Sequence, residues 1–455
     1  MKNKIVWIVL TLIIILAAFL RLWQIGNVPP SPDWDEVALG YDAYSIIHTG
    51  RDEYGNFLPP VLRSFDDYKP AMYAYLAIPA VFVLGLSTVA VRIPSAIAGI
   101  IATAAVFYLI RELFEKDKKR DLLALATSLL FAISPWSIQF SRVGFEANIG
   151  VLLNILTALF FLKGLKKPWL LSFSAIFAAL SIYTYQSEKV FMPLLVLALI
   201  IIFSKKVLSL SRRQIIVPII VGLIVVAPML TYLITDKGAL SRFKGTSVFT
   251  YQTETLSNSI PKLERDRATN NYLGLALDNR RVVYAKTILG GYLSHFDLNW
   301  LFIKGDLPRH VAPSMGLLYL FELPFILLGI YIFIFGNYDK KTKLFIFAWF
   351  LIAPIPASVT ADVPHAVRTM NFLPTFQIFT AIGILSVFLW LVNLKMKILS
   401  LKMYPSLIRK EKKWYETAVL MLLQVLLRLL WAHPVPEKQP LHPMRPHTSL
   451  RIQEN

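Results

Sequence analysis

Cysteine is absent from the 455 residues of this chain, and charged residues make up only 16% of it. Without cysteine the chain has no disulfide, no thiolate nucleophile and no cysteine-ligated metal site. The shortage of charge, together with 56% hydrophobic residues and a mean hydropathy of +0.57, excludes an ordinary soluble domain. The composition therefore predicts an all-α, polytopic membrane protein.

Acidic residues are scarce as well: 28 Asp and Glu stand against 47 Lys and Arg, which gives a net charge of +19. In a soluble protein this excess would suggest nucleic acid as a partner. Here the basic residues gather in short runs between apolar segments, as in cytoplasmic loops, so we expect membrane lipids and no nucleic acid as partners. The runs are Arg111 to Arg120, Lys163 to Lys167, Lys205 to Arg213, Lys340 to Lys343 and Lys395 to Lys413.

The chain does contain apolar stretches that are long enough to cross a bilayer. The first resembles a signal peptide but has no small-residue cleavage site before Arg21, so we expect it to be retained as a span. With a possible eleventh span near 415–431, the prediction is a bundle of about 10 to 11 transmembrane helices. The ten stretches are 5–22, 91–110, 122–138, 148–163, 169–183, 190–204, 215–233, 316–336, 344–360 and 371–393.

The apolar stretch 71–88 decides the predicted topology. If it crossed the bilayer, all five basic runs would lie outside, against the positive-inside bias. We therefore expect an interfacial or re-entrant helix at 71–88, a cytoplasmic N-terminus and a multi-pass protein of the plasma membrane. The outer segments are then 23–90, 139–147, 184–189, 234–315 and 361–370.

Two further regions are distinguished by composition. The long outer loop at 234–315 is aromatic, and its rings are expected at the depth of the lipid headgroups: Tyr272, Tyr292, Phe296, Trp300 and Phe302. Residues 396–455 form an atypical basic segment with a Pro- and His-rich, partly disordered end, whereas 1–395 form one transmembrane domain. No internal repeat is evident, which weakens a secondary-transporter interpretation.

The motif "PDWDE" directly follows the first span. Asp33 can be the N-cap of a helix with Glu36 at its N3 position, a capping box, while Asp35 complements the helix dipole. Capping alone is one interpretation. In the other interpretation the carboxylates also take part in a reaction. The following helix has Val37, Tyr41, Tyr44 and Ile47 at helical spacing, as an interfacial helix would, and it holds its N-terminal carboxylates at the boundary between membrane and water.

Other ionisable residues occupy the same outer segments. Lys69 precedes Pro70 at the entry to an apolar helix, where it could meet a lipid phosphate or simply snorkel. Arg142 and Glu146 lie four residues apart, so they could form a plain helical ion pair or bring a second acid to a cavity. Arg63, Arg309, His310, Asp362, His365 and Arg368 complete the set. The two His lack metal-ligand spacing, which disfavours a zinc site.

In combination these features resemble the GT-C glycosyltransferases. The acidic pair after the first span, "YKP" before a non-spanning helix, Arg92 in "AVRIPSAIAGI" and a second acidic loop are similar to the protein O-mannosyltransferases and lipid A aminoarabinose transferases. The stretches "SPWSIQFSRVGFEAN", "IYTYQSEKVFMP" and "YLSHFDLNWLFIKGDLPRH" resemble bacterial members of unassigned substrate. The likeness covers about residues 5–395.

The resemblance implies an inverting transfer of a sugar from a polyprenyl-phosphate carrier to an acceptor on the outer face, by a mannosyltransferase-like enzyme of the cell envelope. It implies that Asp35 acts as base with Glu36 as its partner, that Glu146 is the second acid and that Lys69 meets the carrier phosphate. Arg142, Arg368, Arg92 and His310 are further candidates for phosphate binding.

The chemistry suits these residue types. A phosphate leaving group is stable as an anion, so the reaction needs one base and several cations but no general acid. No Gly-rich phosphate loop is present, which favours a lipid-borne donor over a nucleotide sugar. We assign no metal ligands, although a divalent cation could assist. The alternatives are a transporter or flippase of lipid-linked intermediates, which needs charges at mid-membrane depth, and a structural membrane protein, which needs no acidic cluster.

Overall fold

The computed structural model describes residues 2–64, 67–236, 245–250 and 254–402. These residues form helices with one small two-stranded ribbon, which confirms the predicted all-α class. In the first half, the elements are α1 Lys2–Leu22, α2 Trp34–Thr49, β1 Val61–Ser64, β2 Asp67–Pro70, α3 Met72–Leu84, α4 Thr88–Leu113, α5 Arg120–Ile133, α6 Pro135–Arg142 and α7 Glu146–Gly164.

The second half contains mostly shorter helices. They are α8 Leu170–Ser181, α9 Glu188–Ile202, α10 Ser204–Val207, α11 Arg212–Thr235, α12 Glu254–Ala268, α13 Tyr272–Leu277, α14 Arg280–Ser294, α15 Glu322–Phe335, α16 Lys340–Ile352, α17 Ile355–Ser358 and α18 Leu373–Lys402. A π-helix at Trp300–Lys304 and a 3₁₀ turn at Met370–Phe372 complete the described elements.

Each of the ten predicted spans falls on a helix. Among the described residues, five helices are long and apolar enough to cross a membrane, namely α1, α4, α7, α11 and the 370–392 segment, and the α5–α6 pair, bent by 54°, would be a sixth. The other predicted spans lie on α8, α9, α15 and α16, which have 12 to 15 residues. At 1.5 Å per residue, such helices are about 18–23 Å long and shorter than a bilayer core of about 30 Å.

The core of the bundle is built around α4, which packs against α1, α5 and α7. Small residues on α4 allow this close packing: Ala98, Gly99, Ala102 and Ala105 are buried along its length. The Cβ position of Gly99 would lie 2.2 Å from Ser141 Oγ of α6, so a larger side chain there would collide. The start of α4 is thereby fixed beside α6 and the first outer loop.

The stretch 71–88 contains α3, a helix of 13 residues that is about 20 Å long. The ribbon of β1 and β2 leads directly into it, with Leu62 paired to Lys69. The length of α3 is compatible with the predicted interfacial helix. The proposed eleventh span at 415–431 and the Pro- and His-rich end lie outside the described residues.

The aromatic residues of the long loop divide into two groups. Tyr272 is 77% exposed, as expected for a ring at the membrane surface. The prediction is wrong for Trp300 and Phe302, which are buried at 5% and 6% exposure. Trp300 packs edge to face against Trp136 of α6, because the π-helix turns its rings inward onto the bundle. The segment around 300 is therefore part of the core.

Candidate active site

A small cleft of about 90 Å³ opens where the predicted outer segments meet. It contains residues from six separate parts of the chain, namely the start of α2, the end of β2, the start of α7, the loop between α8 and α9, and the segments near 310 and 365. The lining residues are Asp35, Lys69, Pro70, Phe145, Glu146, Tyr185, Gln186, Arg309, His310, His365, Val367 and Arg368.

Asp35 is positioned by the predicted capping box. Asp33 is the N-cap of α2, and its carboxylate accepts a hydrogen bond from the Asp35 N–H. Glu36 Oε2 in turn accepts from the Asp33 N–H at 2.9 Å. Because both ends of this turn are satisfied, the Asp35 side chain is held at the N-terminus of α2 and faces the cleft.

Glu36 lies behind the cleft, and both of its carboxylate oxygens accept hydrogen bonds. It is 2% exposed and accepts two hydrogen bonds from Arg92 of α4, at 2.8 and 3.0 Å, and one from the Gly144 N–H at 2.8 Å. The remaining N–H groups of Arg92 donate to the carbonyls of Ile25, Pro29 and Ser31. All five guanidinium N–H groups of Arg92 are thus used within the protein, and none is left for a ligand.

Arg142 has a similar structural environment. Its guanidinium donates to the carbonyls of Leu20, Trp23 and Val28 at 2.7 to 2.9 Å, and it does not line the cleft. These contacts replace the ion pair with Glu146 considered above. Arg21 of α1 connects the same regions in the opposite direction. It donates to the carbonyl of Ala132 at the end of α5 and to the hydroxyl of Ser137 of α6. Two arginines therefore join the end of α1 to the α5–α6 bend.

Lys69 reaches the cleft from the ribbon. Its ammonium forms an ion pair with the Asp35 carboxylate, and the two side chains are 8% and 25% exposed. Gln186 donates to the carbonyl of Tyr68, which ties the α8–α9 loop to the same strand. A base and a cation are thus in direct contact at a position that a ligand can reach.

Arg309 contacts the acidic motif from the opposite side. Its guanidinium lies 3.3 Å from Asp33 Oδ2 and 3.6 Å from Asp35 Oδ2, and it stacks over the Trp34 ring at 5.6 Å. Every residue of "DWD" therefore contacts this arginine. The sequence suggested no pairing between Arg309 and the motif, because 274 residues separate Arg309 from Asp35.

Glu146 and Tyr185 form the inner wall of the cleft. Glu146 is the first residue of α7 and is 5% exposed. Burial raises the pKa of Tyr185 to about 12, so its hydroxyl stays protonated at neutral pH. Tyr185 and Gln186 were not singled out from the sequence, since nothing in "IYTYQSEKVFMP" marks one polar residue over another.

A cluster of Asp306, His310 and His365 closes the far side. His310 Nδ1 lies 3.1 Å from Asp306 Oδ2, which also accepts from the Ala366 N–H at 2.6 Å. The His310 and His365 rings are 5.1 Å apart. Burial lowers the pKa of His365 to about 2, so its imidazole is neutral. The spacing argument overlooked this cluster because His365 follows His310 by 55 residues.

Five of the eight site residues predicted from the sequence line the cleft: Asp35, Lys69, Glu146, His310 and Arg368. Arg368 also donates to Thr360 Oγ1 and to the carbonyl of Ala361, which fixes its loop. Glu36, Arg92 and Arg142 lie behind the cleft. A larger cavity of about 720 Å³ adjoins the other side of α2 and is lined in part by Val37, Tyr41 and Leu86.

Comparison with known proteins agrees with this architecture. Residues 68–232 match the family described as dolichyl-phosphate-mannose-protein mannosyltransferase. No curated protein matches the chain. Among solved structures, the chain is similar to the oligosaccharyltransferase AglB of Archaeoglobus fulgidus in complex with an inhibitory peptide and a dolichol-phosphate, with a TM-score of 0.53 and 14% identity.

The AglB match covers 94% of this chain and 55% of AglB, so the chain spans about half the length of that protein. ArnT from Cupriavidus metallidurans, bound to undecaprenyl phosphate, matches with a TM-score of 0.50 and 10% identity over 94% of this chain and 70% of ArnT. The chain is thus a multi-pass membrane protein whose fold is similar to that of AglB and ArnT. It resembles the protein O-mannosyltransferase and aminoarabinose transferase branch of the GT-C glycosyltransferases, as predicted.

Proposed function

We propose that this protein is a membrane glycosyltransferase that moves a sugar, with inversion, from a polyprenyl-phosphate carrier to an acceptor on the outer face of the plasma membrane. The observation that carries the proposal is the Asp35–Lys69 ion pair in a cleft that also contains Arg309 and Arg368. The family matched by residues 68–232 and the lipid phosphates in the AglB and ArnT structures support the same donor class.

The ion pair suggests how donor binding prepares the base. Lys69 neutralises Asp35 while the cleft holds no phosphate. A carrier phosphate would compete for the Lys69 ammonium, and Asp35 would then be free to accept the acceptor's proton. Arg309 and Arg368 would hold the departing phosphate, whose negative charge grows as the sugar leaves.

The remaining residues take supporting roles in this proposal. Glu146 faces the same cleft and would orient the acceptor or the sugar. Glu36, Arg92 and Arg142 would act as positioning residues, because their side chains fix the loop that bears Asp35. The apolar side of the larger cavity, at Val37 and Leu86, offers a surface for isoprenoid units next to the cleft.

Thermal unfolding of the purified full chain, with undecaprenyl phosphate as the probe, tests the donor class. A ligand that binds only the folded state at 100 times its Kd stabilises it by about 2.7 kcal/mol. We expect the lipid to raise the unfolding temperature of the wild type and of Asp35→Asn, since Asn no longer competes for Lys69. Lys69→Ala should lose most of the shift.

Lys304→Ala is the matched control, because Lys304 is an exposed lysine outside the cleft. It should retain the wild-type shift. Undecaprenol, which lacks the phosphate, should stabilise none of the variants to the same extent. An equal shift in Lys69→Ala and the wild type, or no shift in any of them, would remove the basis for the proposed donor site.

A further inference from the structure

Binding of a carrier phosphate does not explain the arrangement of Asp306, His310 and His365. One nitrogen from each His and one carboxylate oxygen from Asp306 lie within 4.8 Å of one another. Ligand atoms of a tetrahedral zinc site are about 3.4 Å apart for bonds of about 2.1 Å. Small side-chain rotations would therefore bring the three groups onto one ion.

The hydrogen bonds of the cluster leave one nitrogen of each imidazole unused. His310 is 1% exposed and His365 8% exposed. His310 Nε2 and His365 Nδ1 are both buried without a hydrogen-bond partner among the described residues. Buried polar atoms of this kind are rare in native proteins and call for a ligand or an ordered water.

The contact between Asp306 and His310 already has the spacing of two ligands of one ion. An ionised carboxylate only accepts hydrogen bonds, so the contact at 3.1 Å places a proton on His310 Nδ1 in the metal-free protein. A metal ion bound between Nδ1 and Asp306 Oδ2 would displace this proton, because metal-bound imidazole nitrogens are unprotonated. The observed 3.1 Å is close to the separation of about 3.4 Å expected for two ligands of a tetrahedral site.

The charges around the cluster can accommodate a cation. Lys69, Arg309 and Arg368 are positive, but Arg309 contacts Asp33 and Asp35, and Lys69 is paired with Asp35. Counting Glu146 and Asp306, four carboxyl groups accompany three cationic side chains in and around the cleft. A divalent ion would therefore not enter an uncompensated positive site.

We propose that Asp306, His310 and His365 bind a divalent transition metal of the zinc class at the edge of the cleft. Two imidazoles with one carboxylate favour zinc-like ions over Mg²⁺ or Ca²⁺, which prefer oxygen ligands. Three protein ligands leave one coordination position open, as in zinc sites that bind water or substrate. This assignment replaces the carrier-phosphate role suggested above for His310.

The test measures metal binding alone, so its outcome is independent of the proposed transferase activity. The chain contains seven His, three of them at 433, 442 and 447 near its end. These three are replaced by Ala in every sample, and no His tag is retained, so that they cannot contribute. After metal removal by a chelator, the full chain is titrated with Co²⁺ and Zn²⁺. Bound metal per chain and the Co²⁺ absorption spectrum are recorded.

We expect one ion per chain and the intense Co²⁺ spectrum of a tetrahedral site with nitrogen ligands. His310→Gln and His365→Gln should abolish both, and Asp306→Asn should weaken binding by at least about 10-fold, the smallest loss that is typical even of an outer-shell partner. His48→Gln, which changes an exposed histidine of α2, is the matched control and should bind as the parent does. Asp306→Asn also guards against misfolding of the His variants, because Asn retains an acceptor for the Ala366 N–H.

Two results would overturn the proposal. One is the absence of stoichiometric metal in the parent protein. The other is binding that persists unchanged in His310→Gln, His365→Gln and Asp306→Asn. If inorganic phosphate instead raises the unfolding temperature, and this shift disappears in the His variants while metal has no effect, the two imidazoles serve an anion and the metal assignment is wrong.

Discussion

The two ends of α4 carry an arginine each, and the two arginines have opposite surroundings. Arg92, near the start, is 0% exposed and donates to Glu36 and to three backbone carbonyls. Arg111, near the end, has a side chain 27% exposed, pairs with Asp121 at 2.8 Å and lies over the Trp7 ring. At 1.5 Å per residue these positions are about 28 Å apart along the helix.

The difference shows at which end of α4 the charged side chains are needed for the stability of the fold. At the Arg111 end, the side chains of both partners are partly exposed, so water can solvate each of them when its partner is lost. At the Arg92 end, each partner is buried and comes from a distant segment. Loss of one partner there leaves a charge without water, which costs far more.

Replacing the arginines one at a time tests this comparison, and the largest effect is expected at Arg92. Arg92→Met leaves the Glu36 carboxylate and three carbonyls buried without their donor, so we expect a loss of about 3–5 kcal/mol in unfolding free energy. Arg111→Met, at the other end of α4, should change it by less than about 1 kcal/mol. Reversible unfolding in mixed micelles gives both values. Equal losses for the two variants would contradict the contrast drawn here.

The pH dependence of stability at Asp42 tests the same contrast between buried and exposed charge. It is buried on α2, and burial raises its pKa to about 7, whereas an unfolded Asp titrates near 3.8. The folded state therefore binds the proton more tightly, and its stability falls as pH rises between these two values. Asp42→Asn should raise the unfolding temperature at pH 8 and lose that advantage toward pH 4. If Asp42→Asn changed the unfolding temperature by the same amount at both pH values, the raised pKa of Asp42 would be contradicted.

The smallest effect is expected at Lys166, in the cluster beyond the end of α7. Its ammonium contacts Glu112 and Glu115, but its side chain is 44% exposed and that of Glu115 is 54% exposed. We expect Lys166→Ala to cost no more than about 1 kcal/mol, and the cost should shrink further at 1 M salt because exposed pairs are screened. Unfolding at low and high salt measures this. A loss that exceeds this range and does not depend on salt would place the cluster with the buried pairs.

Several features were predictable from local sequence patterns. The capping box of Asp33 and Glu36 was expected from four consecutive residues and is present at the start of α2. Val37, Tyr41 and Tyr44 are exposed on α2 as their helical spacing predicted, whereas Ile47, expected on the same face, is half-buried. These predictions were successful because capping and helical periodicity depend on residues within one or two turns.

Other features depended on contacts that no spacing encodes. Arg92 and Lys69 look equally suited to a phosphate in the sequence, yet the carbonyls of 25, 29 and 31 occupy Arg92, while Lys69 faces the cleft. Arg309 meets Asp35 across 274 residues of sequence. Trp300 belongs to an aromatic loop typical of a membrane surface, but Trp136 of α6 covers it.

The sequence by itself determined the membrane class, the positions of the helices and the turn that presents Asp35, because hydropathy and capping are properties of neighbouring residues. Only the tertiary structure decided which cations face Asp35, which are bound to backbone carbonyls, and that Asp306, His310 and His365 converge. The physical reason is that a buried polar group takes whatever partner the packed helices bring within about 3 Å, and in this bundle those partners come from segments far apart in the chain.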